Sequence, residues 1–237
     1  MKIKQLTKFI YGSLLLLCVS GFASANSGNE AGDPWEGFNR GIFSFNDALD
    51  RNILVPVTKG YRFVMPDVAE KGVHNFFENL GDISTFINSL LQGKVDDATQ
   101  DLARVAFNST FGLLGVIDVA SPMGIDKHDE DFGQTLGYWG VDSGPYLVLP
   151  LLGPSNVRDG VSLIPDHYLD PITYFEDSND RLWLQAIRVV DTRAGLMESE
   201  KLISGDRYSF IRDAYLQRRE FLVTDGEVGE SFDQDNF

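Results

Sequence analysis

Apolar residues at helical spacing run through most of this chain, and they constrain its fold more than any other feature of the sequence. Near the start, five of them recur at steps of three and four, which is the spacing of one face of an amphipathic helix. These are Trp35, Phe38, Ile42, Phe45 and Leu49. Helical spacing returns over residues 66–92, 95–114, 179–203 and 206–223. The pattern predicts a mostly α fold.

The middle of the chain has a different composition. Residues 131–161 contain six glycines and three prolines around an apolar run, Tyr146–Leu149. Such a segment does not support a long helix, and a short strand or hairpin between turns fits it better. Its glycines match neither GxGxxG nor GxxxxGK[ST], so the sequence gives no support for a phosphate-cradling loop or a nucleotide cofactor.

The two ends of the chain are set apart from the helical region. Residues 1–25 have the features of a signal peptide, with three lysines, an apolar run too short to span a bilayer and the small residues Ala23-Ser24-Ala25. We therefore predict export, with cleavage after Ala25. Residues 26–33 are predicted to form a polar leader, residues 34–224 one helical domain, and residues 225–237, which carry five acids and no base, a disordered acidic tail.

Cys18 is the one cysteine of the chain, and it lies in this N-terminal segment. A bacterial lipoprotein signal has small residues just before the lipidated cysteine, whereas Leu15-Leu16-Leu17 precede Cys18. We expect Cys18 to be discarded with the signal peptide, and its lipidation is the alternative.

Composition excludes several classes of protein. The chain has 35 Asp and Glu against 20 Lys and Arg, a net charge of -15, which argues against a nucleic-acid partner because phosphates need a basic face. A single cysteine excludes an internal disulfide framework. The 43% of hydrophobic residues is enough for a folded core and excludes a wholly disordered chain.

No catalytic or metal-binding motif is found. The histidines His74, His128 and His167 accompany no GxSxG, SxxK or HExxH pattern. The acidic run around His128 does not match a calcium-binding loop, so we expect neither a metal nor a cofactor.

Three classes stay open on the residues alone: a lipid-interface protein, a soluble periplasmic hydrolase using scattered Asp and His residues, and a structural periplasmic adaptor. The apolar faces of the helices either pack against each other or lie in lipid. Composition alone favours packing against each other, because interfacial helices normally carry Lys and Arg on their polar side.

Several motifs, in order along the chain, resemble the MlaA (VacJ) family. They are DPWEGFNR at 33–40, NSLLQG at 88–93, FGQTLGYWGV at 132–141, GPYLVLP at 144–150 and RDAY at 212–215. The resemblance runs from Asp33 to about Val223, which is nearly the whole predicted domain.

The resemblance implies a non-enzymatic function. Members of this family are outer-membrane proteins of Gram-negative bacteria that remove phospholipid mislocalised to the outer leaflet and pass it to a soluble periplasmic lipid carrier. The implied fold is a ring of amphipathic helices in the inner leaflet, with an amphipathic channel and a trimeric porin as partner. The resemblance further implies that this protein lies at the outer membrane, on the periplasmic side. Many members are lipoproteins with a small residue before the cysteine, and Leu17 departs from that pattern.

The resemblance also suggests which residues meet lipid. The aromatic face of the first helix, Phe38, Ile42, Phe45 and Leu49, is a candidate for packing or lining the ring. A second candidate set is a channel-facing or bilayer-facing wall after the third helical stretch. Its members are Phe111, Leu113, Leu114, Val116 and Ile117.

Overall fold

The computed structural model describes residues 33–226. The predicted signal peptide, with Cys18 and the cleavage site at Ala25, lies outside the described residues. So do residues 26–32 of the predicted leader and residues 227–237 of the predicted acidic tail. The proposed domain limits therefore stay predictions.

The chain begins with a helical rod in three consecutive pieces. Helix α1 spans Glu36–Leu49, a π-helical turn spans Asp50–Leu54, and helix α2 spans Val55–Val64. Pro56 lies in the first turn of α2, where its ring excludes the carbonyl four residues earlier and it has no N–H to donate. The wider π turn accommodates this proline without ending the rod.

The remaining elements follow in a mostly helical order. The helices are α3 (Asp67–Leu91), α4 (Val95–Phe111), α5 (Phe132–Tyr138), α6 (Val157–Leu169), α7 (Ser178–Ser199) and α8 (Arg207–Val223). Strands β1 (Tyr146–Leu149) and β2 (Gly153–Asn156) form an antiparallel hairpin in which Tyr146 pairs with Asn156. Short 3-10 turns occupy Ser121–Met123, Pro171–Tyr174 and Glu200–Leu202.

Acceptor side chains at their N-caps fix the starts of four helices. Asp131, Asn156, Asp177 and Asp206 each accept a hydrogen bond from a backbone N–H in the first turn of α5, α6, α7 and α8. Such caps satisfy donors that have no partner within the helix.

The prediction of a mostly α fold with a short hairpin in the Gly/Pro-rich segment is confirmed. Three details of the sequence prediction differ from the structure, and the first is helix α2, which the apolar spacing did not indicate. The segment 131–161 also holds the short helix α5 and the first turns of α6, and the third helical stretch ends at Phe111 rather than at 114. Helix α3 runs unbroken through Gly81, although glycine in a helix interior costs about 1 kcal/mol relative to alanine.

The elements contact one another in a closed circuit, as the predicted ring-like arrangement requires. Helix α1 packs on the hairpin, β2 on α8, α8 on α5, α5 on α3, α3 on α7, and α7 on α2, which rejoins α1 through the π turn. Helix α4 packs along α3, and α6 packs against α5 and both strands.

Burial in this fold is inverted relative to an ordinary water-soluble protein. Among the described residues, eight hydrophobic side chains are buried, against 22 polar or charged ones, while 36 large hydrophobic side chains are exposed. Monomeric soluble proteins rarely leave large apolar patches uncovered. The interior is therefore held largely by hydrogen bonds and ion pairs, and the outer surface is suited to an apolar environment.

Candidate functional site

An open apolar groove lies between the N-terminal half of α3, the segment that follows α4, and α7. Its volume is about 1110 Å³. We call this cavity the apolar groove. The side chains that give it its character are Val68, Val73 and Phe76 from α3, Val116 and Ile117 from the following segment, and Leu184 and Ile187 from α7.

A left-handed turn directs Val116 and Ile117 into the groove. Leu113, Leu114 and Gly115 have φ values of 53°, 59° and 94°. Only glycine fits at the third position, since a Cβ on Gly115 would lie 2.5 Å from the Cβ of Asn79. After the turn, Asn108 Oδ1 accepts hydrogen bonds of 2.8 and 3.0 Å from the next two backbone N–H groups, those of residues 119 and 120. The turn thus leaves two leucines exposed and returns the chain along α3.

A smaller polar pocket of about 190 Å³ adjoins the groove. We call it the polar pocket. It is lined by His74, Asn75, Glu78, Asn79, Asp82, Arg104, Asn108, Asp118 and Lys127. Asn75 and Asp118 line both cavities, so the two lie side by side. An apolar cavity beside a charged one makes an amphipathic site.

Asp82 is the charged centre of the polar pocket. It is 1% exposed, and its carboxylate lies 2.6 Å from Lys127 Nζ and 3.4 Å from Arg104 Nε. Burial raises the pKa of Asp82 in spite of these two cations. Burial also works to lower the pKa of Lys127, but Asp82 and Glu78 outweigh it and raise that pKa above its usual range. The buried ions of the pocket are therefore paired with one another.

The candidate residues of the first helix lie partly on the hairpin side. Phe38, Ile42 and Leu49 are half-buried, and Ile42 packs against the cluster of Tyr146, Val148 and Tyr208. Phe45 is 51% exposed. The buried residue of α1 is instead Asn39, a position that the apolar pattern leaves out.

The second candidate set is divided between groove and surface. Val116 and Ile117 line the apolar groove, whereas Phe111, Leu113 and Leu114 are exposed outside it. Their predicted contact with lipid stays a prediction.

The polar pocket was missed in the sequence, although a signal for it exists. His74, Glu78 and Asp82 follow one another at steps of four, which places them on one face of α3. Arg104 and Lys127 join them only through the packing of α4 and of the segment after it.

The histidines do not assemble a hydrolase site. His128 Nδ1 lies 2.9 Å from Asp101, and Ser89 Oγ donates to the same carboxylate at 2.9 Å. A nucleophilic serine needs the histidine between itself and the acid, and here the acid lies between them. His74 pairs instead with Asp191, at 3.0 Å. Over residues 33–226, no group of three or more His, Cys, Asp or Glu is arranged to hold a metal ion.

None of the helices in the described part of the chain combines the length and the apolar character that crossing a membrane requires.

A family model described as MlaA lipoprotein matches residues 31–222. The chain belongs to the MlaA family. An intermembrane phospholipid transport system lipoprotein MlaA of Escherichia coli K12 is 33% identical over 232 residues, covering 94% of this chain and 90% of that one. The corresponding MlaA protein of Haemophilus influenzae is 34% identical over 236 residues, covering 95% of this chain and 94% of its own. An uncharacterized protein of Rickettsia prowazekii is 35% identical, covering 86% of this chain and 83% of its own.

A solved structure described as the structural basis for maintenance of bacterial outer membrane lipid asymmetry has the same fold. It matches with a TM-score of 0.71 and 34% identity, over 81% of this chain and 98% of the other. The MlaA family consists of lipid-transport proteins and not of enzymes, which confirms the prediction of a non-enzymatic protein.

Proposed function

We propose that this protein functions in intermembrane phospholipid transport and maintains the lipid asymmetry of the outer membrane by removing phospholipid from its outer leaflet. The observation that carries the proposal is that the apolar groove and the polar pocket lie side by side and share two wall residues, Asn75 and Asp118. A phospholipid has the same two parts, acyl chains and a charged headgroup. Its removal from a bilayer needs a site that receives both at once, because either part alone is costly to move into the wrong environment.

The size of the groove supports this assignment. At about 1110 Å³ it is slightly larger than the roughly 300–1,000 Å³ of small-molecule sites, as a two-chain lipid requires. Its apolar lining matches acyl chains, and its open side gives a tail a lateral route of entry.

The exposed apolar side chains support a position in the membrane. The net charge of -15 opposes electrostatic docking on anionic lipid, so apolar area and protein partners must hold the protein there. The proposed place is the periplasmic side of the outer membrane. The proposed partners are a trimeric porin and a soluble periplasmic lipid carrier, which co-purification after mild detergent extraction tests.

A groove-filling substitution tests the function. Ala69 lies in the wall of the groove on α3, and Ala69→Trp adds a large ring there. In a strain lacking the gene, outer-leaflet phospholipid is expected to rise. The wild-type gene is expected to reverse the rise, and Ala69→Trp at equal protein level to fail.

A matched control separates blockage from misfolding. Ala186 is exposed on α7 outside the groove lining, so Ala186→Trp is expected to complement fully. Unchanged outer-leaflet phospholipid in the deletion strain contradicts the transport function. Full complementation by Ala69→Trp contradicts the assignment of the groove.

A further inference from the structure

We propose that the polar pocket selects phospholipids whose headgroup carries a primary ammonium group, such as ethanolamine, over anionic and quaternary headgroups. This inference rests on the proposed transport function and adds a selectivity to it. It follows from the charges of the pocket, from an unpartnered acceptor in its wall and from its position beside the groove.

Carboxylates outnumber permanent cations in the pocket, and both cations are already engaged. Lys127 Nζ lies 3.0 Å from Glu78 and 2.6 Å from Asp82. Arg104 pairs with Asp82 and Asp118, and it donates to the backbone carbonyl of Ile125 at 2.9 Å. An incoming anion would have to displace carboxylates from these cations. An incoming cation, in contrast, is attracted by the excess of negative charge in the pocket.

Asn79 gives the pocket an acceptor in need of a donor. This side chain is 4% exposed, and its Nδ2 donates to Ser109 Oγ at 3.0 Å. Its Oδ1 is buried and has no hydrogen-bond partner. Buried acceptors are nearly always satisfied in proteins, so an unpartnered one in a cavity wall points to a ligand that donates.

A primary ammonium fits these requirements best. It brings a positive charge and three N–H donors, enough for Asn79 and for the half-exposed carboxylate of Glu78 together. A choline headgroup has the charge but no N–H, and a glycerol headgroup has hydroxyl donors but leaves the lipid anionic. Each of these two headgroups therefore lacks either the N–H donors or the positive charge that the pocket would bind.

The position of the pocket gives the headgroup its access. Asn75 and Asp118 line groove and pocket alike, so a lipid with its chains in the groove has its polar end at these two residues. The ammonium group, at the far end of the headgroup, is the part that reaches furthest into the pocket.

Lipid competition tests the selectivity. The full-length protein, purified in detergent, is incubated with vesicles of equal parts phosphatidylethanolamine, phosphatidylcholine and phosphatidylglycerol, then repurified, and its bound lipid is quantified by mass spectrometry. Phosphatidylethanolamine is expected to be enriched over both others. Glu78→Gln removes a half-exposed charge and is expected to lower the enrichment about three- to five-fold while total bound lipid stays constant.

Glu176→Gln is the control, since it removes the same charge from an exposed loop outside both cavities, and it is expected to leave the enrichment unchanged. Equal proportions of the three lipids on the wild-type protein overturn the selectivity and leave the transport function standing. An equal loss of enrichment in both variants also overturns it, because net charge and not the pocket would then set the preference. Failure to retain any of the three lipids overturns the proposed function itself.

Discussion

Asn39 Oδ1 accepts a hydrogen bond of 2.9 Å from the backbone N–H of Val148, which ties helix α1 to strand β1. The Nδ2 of the same side chain donates to the carbonyl of Tyr146 at 3.1 Å. One fully buried asparagine thus satisfies two backbone groups of a strand that, within residues 33–226, pairs with β2 alone. The join between rod and hairpin is a hydrogen-bonded one.

Replacing this asparagine is expected to destabilise the fold. Asn39→Ala leaves a buried N–H and a buried carbonyl without partners, and we expect a loss of about 3 kcal/mol in the free energy of unfolding. Chemical denaturation in detergent measures it. Asn52→Ala, at an exposed asparagine in the π turn, is the control and is expected to change stability by no more than about 0.5 kcal/mol. Equal effects of the two substitutions contradict this role of Asn39.

The buried pair of Asp82 and Arg104 is expected to be costly to break from one side. Arg104→Met leaves Asp82 with Lys127 as its one remaining cation in an interior where burial already raises its pKa, and the expected loss is about 3 kcal/mol, the lower end of the range for breaking a buried pair. The double variant Asp82→Leu, Arg104→Met is expected to lose less than the sum of the two single variants. Strict additivity in this double-mutant cycle argues against coupling. Arg51→Met, at an arginine whose side chain is 61% exposed, is the comparison and should cost less than about 1 kcal/mol.

Asp166 is expected to make stability fall with rising pH. Burial raises the pKa of its carboxyl from 3.8 to about 6, although the N–H of Phe132 donates to it. The folded protein therefore holds this proton more tightly than the unfolded chain does. The contribution is fully present below about pH 4 and is lost as pH rises through about 6.

Asp166→Asn isolates this contribution, because asparagine keeps an acceptor for Phe132 and never ionises. The stability of the variant relative to wild type is expected to increase by about 1 kcal/mol between pH 4 and pH 7, a figure reduced for the partial exposure of the group. Denaturation curves at a series of pH values measure it. A difference that does not change with pH contradicts the prediction.

Leu114 is expected to lower the stability of the fold through its backbone conformation and to increase lipid binding through its exposed side chain. Its left-handed backbone costs roughly 1–2 kcal/mol, so Leu114→Gly is expected to raise the free energy of unfolding by about 0.5–1 kcal/mol after the greater freedom of glycine in the unfolded chain is counted. Partition into lipid vesicles is expected to fall, because an exposed leucine is lost. Leu202→Gly, at an equally exposed leucine with ordinary backbone, should destabilise instead. The same sign of stability change at both positions contradicts the prediction.

Local patterns could be read from the sequence, and the joins between elements could not. Helix α3 was predictable because its apolar residues keep helical spacing over 25 residues, and the hairpin was predictable from its flanking glycines and prolines. Helix α2 was missed because Pro56 follows so closely on α1, where a proline normally marks a boundary.

The candidate site was only partly predictable, for a physical reason. Val116 and Ile117 were predicted because they belong to a nearly continuous apolar run, residues 111–117. The polar pocket depends on Arg104 and Lys127 reaching Asp82 from 22 and 45 residues away in the chain, and no local period encodes such a contact. The strand partners of Asn39, Tyr146 and Val148, lie 107 and 109 residues away in the chain, so the sequence did not show where this side chain binds.

The inverted burial of this fold also shapes how its stability depends on temperature. Apolar surface exposed on unfolding raises the heat capacity and polar surface lowers it, so a protein whose buried side chains are mainly polar should unfold with a small heat-capacity change. Its stability curve is then shallow, and neither moderate cold nor moderate heat shifts the balance far. At the proposed position in the outer membrane, the buried hydrogen bonds and ion pairs would keep their strength while the surrounding lipid stiffens or melts, so the fold would hold its shape as the fluidity of the membrane changes.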